Sequence, residues 1–254
     1  MSESDNRSLY HFDDFTEAHY RHCLQLARQN YRFVRFPEYR TEGRACLWRH
    51  DIDTSPHRGL RLAQIEAEEG VVSTFFVLLH SDRYHPLEKD VYDRLKAILA
   101  LGHDLGLHFD PQFYGERIQS AADLEHFLAL ERHLLEETFQ TEIRSFSFHN
   151  PSVNNSLRFD QETLAGMVNA YGAELQSQYD YCSDSFCYWR YRRLVEVLEQ
   201  AAAEKIHILT HPVCWTEDVT SPYVRFVRAV EGRAANTLRR YQEAALRNKR
   251  KIVE

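Results

Sequence analysis

Short apolar stretches of strand length alternate with helical stretches along most of this chain, and several of the strands run into a histidine or an aspartate. The spacing predicts strands over 45–49, 73–79, 103–108, 144–148, 179–183 and 206–209. It predicts helices over 56–69, 87–101, 121–138, around 161–168 and over 191–203. An amphipathic helix over 15–30 comes first, with Phe15, Ala18, Cys23, Leu24, Leu26 and Ala27 as its apolar positions. Alternation of this kind builds a mainly parallel sheet from βαβ units. Six or seven units suit a barrel, and barrel active sites gather at the C-terminal ends of the strands.

The chemistry-bearing residues fall at those ends. Asp51 and Asp53 are two apart in Trp48-Arg49-His50-Asp51-Ile52-Asp53, a segment directly after Ala45-Cys46-Leu47, so they project to one side of a strand end. Two carboxylates this close repel unless a cation lies between them or one keeps a proton, which suits one to hold a metal and the other to act as a base. The same stretch, Asp53-Thr54-Ser55-Pro56, also reads as a helix start with proline in its first turn. Three later segments repeat the pattern: His103 to Asp110, Ser147-Phe148-His149-Asn150-Pro151 and His207 to Pro212. Polar residues at the ends of several strands imply one shared site. His50, His103 and His207 read as packing residues, as do Trp48, Phe148, Trp189 and Trp215, although an exposed aromatic could stack on a sugar ring.

Composition narrows the class. A chain of 254 residues can bury one full core, and nothing in it marks a linker. A net charge of −7 argues against a nucleic-acid binder that relies on phosphate attraction, but not against a neutral sugar. The polar, acidic start does not read as a secretory signal, and no apolar run reaches membrane-spanning length. Five scattered cysteines (23, 46, 182, 187 and 214) suggest reduced thiols and a cytoplasmic protein, and Cys182, Cys187 and Cys214 lack the usual zinc spacing. Over 237–251 six arginines and lysines lie on a helical pattern, which reads as a solvated helix or as weak contact with an anionic membrane surface.

Six segments, in order, carry a family resemblance. They are Arg49-His50-Asp51-Ile52-Asp53, Ser73-Thr74-Phe75-Phe76-Val77, Gly102 to His108, Ser147-Phe148-His149 with Pro151, Ser183-Asp184-Ser185 with Trp189-Arg190, and Leu209-Thr210-His211-Pro212 with Trp215. Together they resemble the polysaccharide deacetylases of the NodB-homology group, carbohydrate esterase family 4, and within it the WbmS-like branch of O-antigen biosynthesis. The resemblance spans about residues 45–215, which makes 1–44 a helical cover, 45–215 the catalytic core and 216–254 a helical tail of a single domain. It implies a distorted (β/α)7 TIM-like barrel with one divalent cation, zinc first among the choices, that removes acetyl groups from sugars.

Carried over residue by residue, the resemblance makes Asp51 the catalytic base, Asp53 the metal carboxylate, His108 a metal histidine and His211 the general acid. Asp184 matches the carboxylate that supports an active-site partner, and Arg190 is placed to orient Asp184 or Asp51 or else to pack on the rim. One departure stands out: family members often carry a second metal histidine four residues after the first, and that position here is Gln112, a poor ligand. His149 is then expected as the third ligand, with Asp110 as the alternative.

Amide hydrolysis needs an activated water, stabilisation of the oxyanion and a proton for the departing amine. A cation on Asp53 and His108 would lower the pKa of a bound water toward ~7. Asp51 would take the water proton and His211 would deliver one to nitrogen. Two other readings remain. His108-Phe109-Asp110 with His211 also fits the ligand set of a non-haem iron oxygenase, with Arg225 holding a co-substrate carboxylate. Gln112 suits a sugar-binding barrel that has lost its ion. The expectation taken forward is a cytoplasmic, metal-dependent deacetylase of an acetylated sugar in surface-polysaccharide assembly.

Overall fold

The structure, a computed structural model, describes residues 3–150, 160–189 and 191–253. At its centre eight consecutive buried residues, Ala45–Ile52, form strand β2, flanked in parallel by Thr74–Leu78 (β3) and Lys205–Thr210 (β9). The two-residue strand Arg32–Phe33 (β1) pairs with the start of β2. Beyond β3 the sheet continues through Asp104–Phe109 (β4), Ser145–Phe148 (β5) and Met167–Asn169 (β7). Beyond β9 it ends on Asp180–Ser183 (β8). Seven strands thus run parallel in the order β7-β5-β4-β3-β2-β9-β8, and Thr163–Leu164 (β6) adds an antiparallel edge.

Helices Pro56–Glu68 (α3), Lys89–Ala100 (α4), Ala121–Phe139 (α6), Ala173–Gln178 (α7) and Leu194–Gln200 (α8) make the crossovers, with one short turn, Pro111–Tyr114 (α5), before α6. Glu3–Leu9 (α1) and Glu17–Asn30 (α2) precede the sheet, and Pro222–Arg247 (α9) follows it. Parallel strands need such crossovers because a short turn cannot return the chain to the starting edge.

The sheet curls into a half-barrel surrounded by helices, the barrel that the alternation suits, in the distorted (β/α)7 form that the family resemblance implies. Its two ends meet at the pocket, which Tyr171, beyond β7, and Tyr181, on β8, both line. Alternation along β2 sorts the core. Ala45 and Leu47 pack with Phe36 and Phe76 in one cluster, while Cys46 and Trp48 turn the other way to meet α2 and α8. Ile52 joins Phe75 and Leu107 under α3, α4 and α6. Gly106 on β4 leaves room for the Phe76 ring, which a Cβ at that position would approach to 2.6 Å.

At the end of β2 the helix start expected over 53–56 is present, but its cap is Ser55, whose side chain accepts the Arg58 amide. Asp53 is therefore not spent on capping. The outward His50 lies in a buried polar chain: its Nε2 approaches Glu66 at 2.8 Å, its Nδ1 approaches Thr210 at 2.8 Å, and Tyr20 donates to Glu66 at 2.6 Å. His103 closes the same chain through Ser73 and the Ala63 carbonyl. His207 is also buried, as its packing role required.

Two expectations fail. The helix expected around 161–168 is the β6–β7 hairpin, closed by Ala165 and Gly166 with φ of 48° and 73°. Two successive positive φ values make the tight turn whose twist suits paired strands, and Ala-Gly lacks the Asn or Asp that usually announces it. The cysteines are not all reduced. Cys187 and Cys214 form a disulfide across 27 residues, while Cys23, Cys46 and Cys182 are free and buried. That pair removes the cysteine argument for a reducing compartment.

Candidate metal centre and active site

Asp53, at the end of β2, His108, on β4, and His149, just after β5, each present one ligand atom, and the three atoms lie within 4.8 Å of one another. Asp53 Oδ1 is 3.1 Å from His108 Nε2 and 3.6 Å from His149 Nδ1, and the two ring nitrogens are 3.2 Å apart. Parallel strands in register put these positions at one end of the sheet, since His108 pairs with Ser147 and Leu78. Asp53 Oδ1 is buried without a hydrogen-bond partner, the state of an oxygen awaiting a cation. Burial favours the neutral acid, but the His108 and His149 rings beside it outweigh that and hold the Asp53 carboxyl well below the usual range. His149 shifts upward: burial disfavours its charge, and Asp53 more than compensates.

Asp/His/His is a donor set that a divalent ion such as zinc accepts. His108 Nδ1 lies 2.8 Å from Ser147 Oγ. A proton held on Nδ1 by that hydroxyl leaves the Nε2 lone pair facing Asp53 and His149. Gln112 takes no part; its amide caps onto Asp110 Oδ1 at 3.0 Å. The triplet forms without a histidine at 112 and without Asp110, which serves the start of α5.

Asp51 sits beside this centre, with Oδ2 3.7 Å from His108 Nε2. It is held by Arg49, a fully buried guanidinium that donates to Asp51 Oδ2 at 3.3 Å and to the Tyr171 hydroxyl at 2.7 Å. Ser147 Oγ reaches the other oxygen at 3.5 Å. On the far side, His211 Nδ1 lies 2.6 Å from Asp184 Oδ1, and its Nε2 faces Asp53 Oδ2 at 3.8 Å. Asp184 is itself fixed by the His211 amide at 3.0 Å and by Trp215 Nε1 at 2.8 Å. Burial works against a charged His211, but the Asp184 carboxylate outweighs it and raises the imidazole pKa to about 9.

The structure therefore brings Asp51, Asp53, His108, His149, Asp184 and His211 together. Arg190 lies outside the described residues, and the described orienting contacts come from Arg49 and Trp215. Arg49, Ser147 and Tyr171 were not anticipated in these roles. Period two gave a partial signal: Arg49 is two residues before Asp51 and Ser147 two before His149, so both lie on faces that carry site residues, although that spacing does not name the groups they hold. Arg225, the suggested carboxylate binder, is buried beneath α9 on the Phe12 and Cys187 carbonyls. Trp189 packs on Phe15 and donates to Asp14, and Trp48 and Trp215 are buried, so none of the three offers a sugar-stacking face. The pocket over the centre holds about 300 Å³ and is rimmed by Phe148, Tyr171, Tyr181, Phe186, Tyr191 and Leu209.

No family model matches the chain, and no curated protein sequence matches it. Several solved structures are similar in fold. The catalytic domain of a peptidoglycan N-acetylglucosamine deacetylase from Eubacterium rectale aligns with a TM-score of 0.46 at 14% identity, over 77% of this chain and 86% of that one. Peptidoglycan deacetylase PdaC from Bacillus subtilis gives 0.45 at 15%, over 81% and 98%. A CE4 family pseudoenzyme from Bacillus anthracis gives 0.41 at 12%, over 76% of this chain, which spans only 60% of that protein's length. At such identities and scores these likenesses decide neither activity nor substrate. The geometry has to carry both.

Proposed function

We propose that this protein is a metal-dependent hydrolase that removes an acetyl group from an amino sugar or acetylated glycan. The observation that carries the reading is the Asp53, His108, His149 cluster set between a held carboxylate, Asp51, and a charged imidazole, His211, on separate strand ends. A divalent ion bound there, zinc in the first instance, would supply Lewis acidity toward a carbonyl and a water.

The chain's own groups divide the proton transfers. Asp51 Oδ2, steadied by Arg49, takes a proton from the attacking water as the oxygen adds to the acetyl carbon. His211 carries a proton on Nε2 while Nδ1–H donates to Asp184, and Nε2 passes that proton to the nitrogen as the carbon–nitrogen bond breaks. Acetate and a free amine leave. The aromatic rim gives flat apolar surface of the kind that sugar rings stack on. Surface-polysaccharide or O-antigen assembly is the pathway we infer from the sequence motifs.

The test combines metal analysis of the purified protein with acetate release from N-acetylated nucleotide sugars and lipid-linked glycans. Asp51→Asn should retain the metal and lose about 10²–10⁴-fold in rate; equal rates in the two proteins would remove Asp51 from the mechanism. Absence of any bound divalent ion in active protein would overturn the metal assignment.

A further inference from the structure

Helix α9 reverses the ordinary arrangement of an amphipathic helix. The side that meets the body is polar. Arg225 is 1% exposed and donates to the Phe12 carbonyl at 3.0 Å, and Arg233 and Arg240 pair with Glu88 at 2.9 and 3.5 Å. The apolar side faces away: Tyr223 is 76% exposed, Leu238 64% and Tyr241 63%, and exposed Val230 and Ala234 lie between them. At 100° per residue these five positions fall on one stripe. Globular helices bury such a stripe, so this one is built to meet something outside the chain.

Charge says what. Residues 222–254 carry nine arginines and lysines against three glutamates, a net +6 in a chain whose total is −7, which leaves −13 on the remaining residues. With Arg225 buried and Arg233 and Arg240 held by Glu88, the cations open to a partner are Arg228, Arg239, Arg247, Lys249, Arg250 and Lys251. A second copy of the same helix would set +6 against +6. A partner that takes both the apolar stripe and the cations is an anionic lipid surface, where the stripe enters the headgroup boundary and arginines meet phosphates. Tyrosines suit that boundary because each has an apolar ring and a polar tip.

Position agrees. The start of α9 packs on the turn Pro212–Cys214 that follows β9, and Glu88 stands between β3 and α4, so the helix lies at the strand-end side where the pocket opens. Loops at that end expose Leu87, Phe113 and Phe186. We propose that α9 lies in the plane of an anionic bilayer and turns the pocket end of the half-barrel toward it. This stands apart from the deacetylase reading.

The test is co-sedimentation of the full chain with phosphatidylcholine vesicles and with vesicles of phosphatidylcholine mixed with phosphatidylglycerol. Binding should require phosphatidylglycerol and fall as salt rises. Leu238→Asp and Tyr241→Asp, each checked for native circular dichroism, should each reduce bound protein about tenfold. The pair Arg239→Glu and Arg247→Glu should reduce it at least as much, since each cation near the surface is worth about fivefold. Asp53→Ala should bind as the unaltered chain does, even if it hydrolyses nothing. Equal binding to neutral and anionic vesicles, or none to either, overturns the proposal. So does a dimer by analytical ultracentrifugation that Tyr241→Asp abolishes, or salt-sensitive capture of duplex DNA that leaves the vesicles free.

Discussion

The sharpest consequence at the scale of single residues concerns His211. Its folded pKa of about 9 lies above the ordinary value near ~6.5, so the Asp184 contact adds stability that is complete below ~6.5 and fades as pH rises through 9. Asp184→Asn keeps the shape of the acceptor and removes its charge. NMR titration of the chain stripped of divalent ions should show the His211 midpoint fall toward ~6.5, and that pH window of stability should close; an unmoved midpoint would assign the shift to another group. That Asp53, His108 and His149 come together was legible from polar residues closing several strands and from the family resemblance, which left Asp110 as an alternative to His149. The holding roles of Arg49 and Ser147 were not, because an arginine or serine inside a buried strand gives no sign in sequence of which partner will neutralise it. Tyr171, 122 residues from Arg49, could be found only in three dimensions.

At the scale of elements, long helices and central strands were legible to within a few residues: α3 was expected over 56–69 and is Pro56–Glu68, and the strand expected over 144–148 is Ser145–Phe148. Strands of two or three residues escape such reading, since β6 and β7 are too short for a period to show. Sequence also underplays Gly106. A glycine in a strand usually weakens it, but here the missing side chain admits the Phe76 ring into the barrel. Gly106→Ala would drive a methyl to 2.6 Å from that ring, at a cost of about 1–3 kcal/mol. Urea unfolding should show the midpoint fall with an unchanged m-value; an unchanged midpoint would mean that Phe76 turns away freely.

For the whole molecule, the parallel order follows from the alternation of strands and helices, while the meeting of the sheet's two ends at the pocket does not, because alternation does not say how far the sheet curls. The disulfide was likewise illegible: cysteines 27 residues apart in a five-cysteine chain do not announce a pair. It links the turn after β8 to the turn after β9, closing a loop that should add about 3–4 kcal/mol by restricting the unfolded chain. Cys187→Ser should lower the denaturation midpoint accordingly, and an equal loss on adding dithiothreitol to the unaltered protein would trace the effect to the bond itself. Asp184 precedes one anchored turn and His211 the other, so the same bond splints this hydrogen-bonded pair. A sample handled in strong reductant therefore risks a slackened His211 while Asp53, His108 and His149, on other strands, remain seated, so on the deacetylase reading such a sample would bind its ion and still turn over poorly.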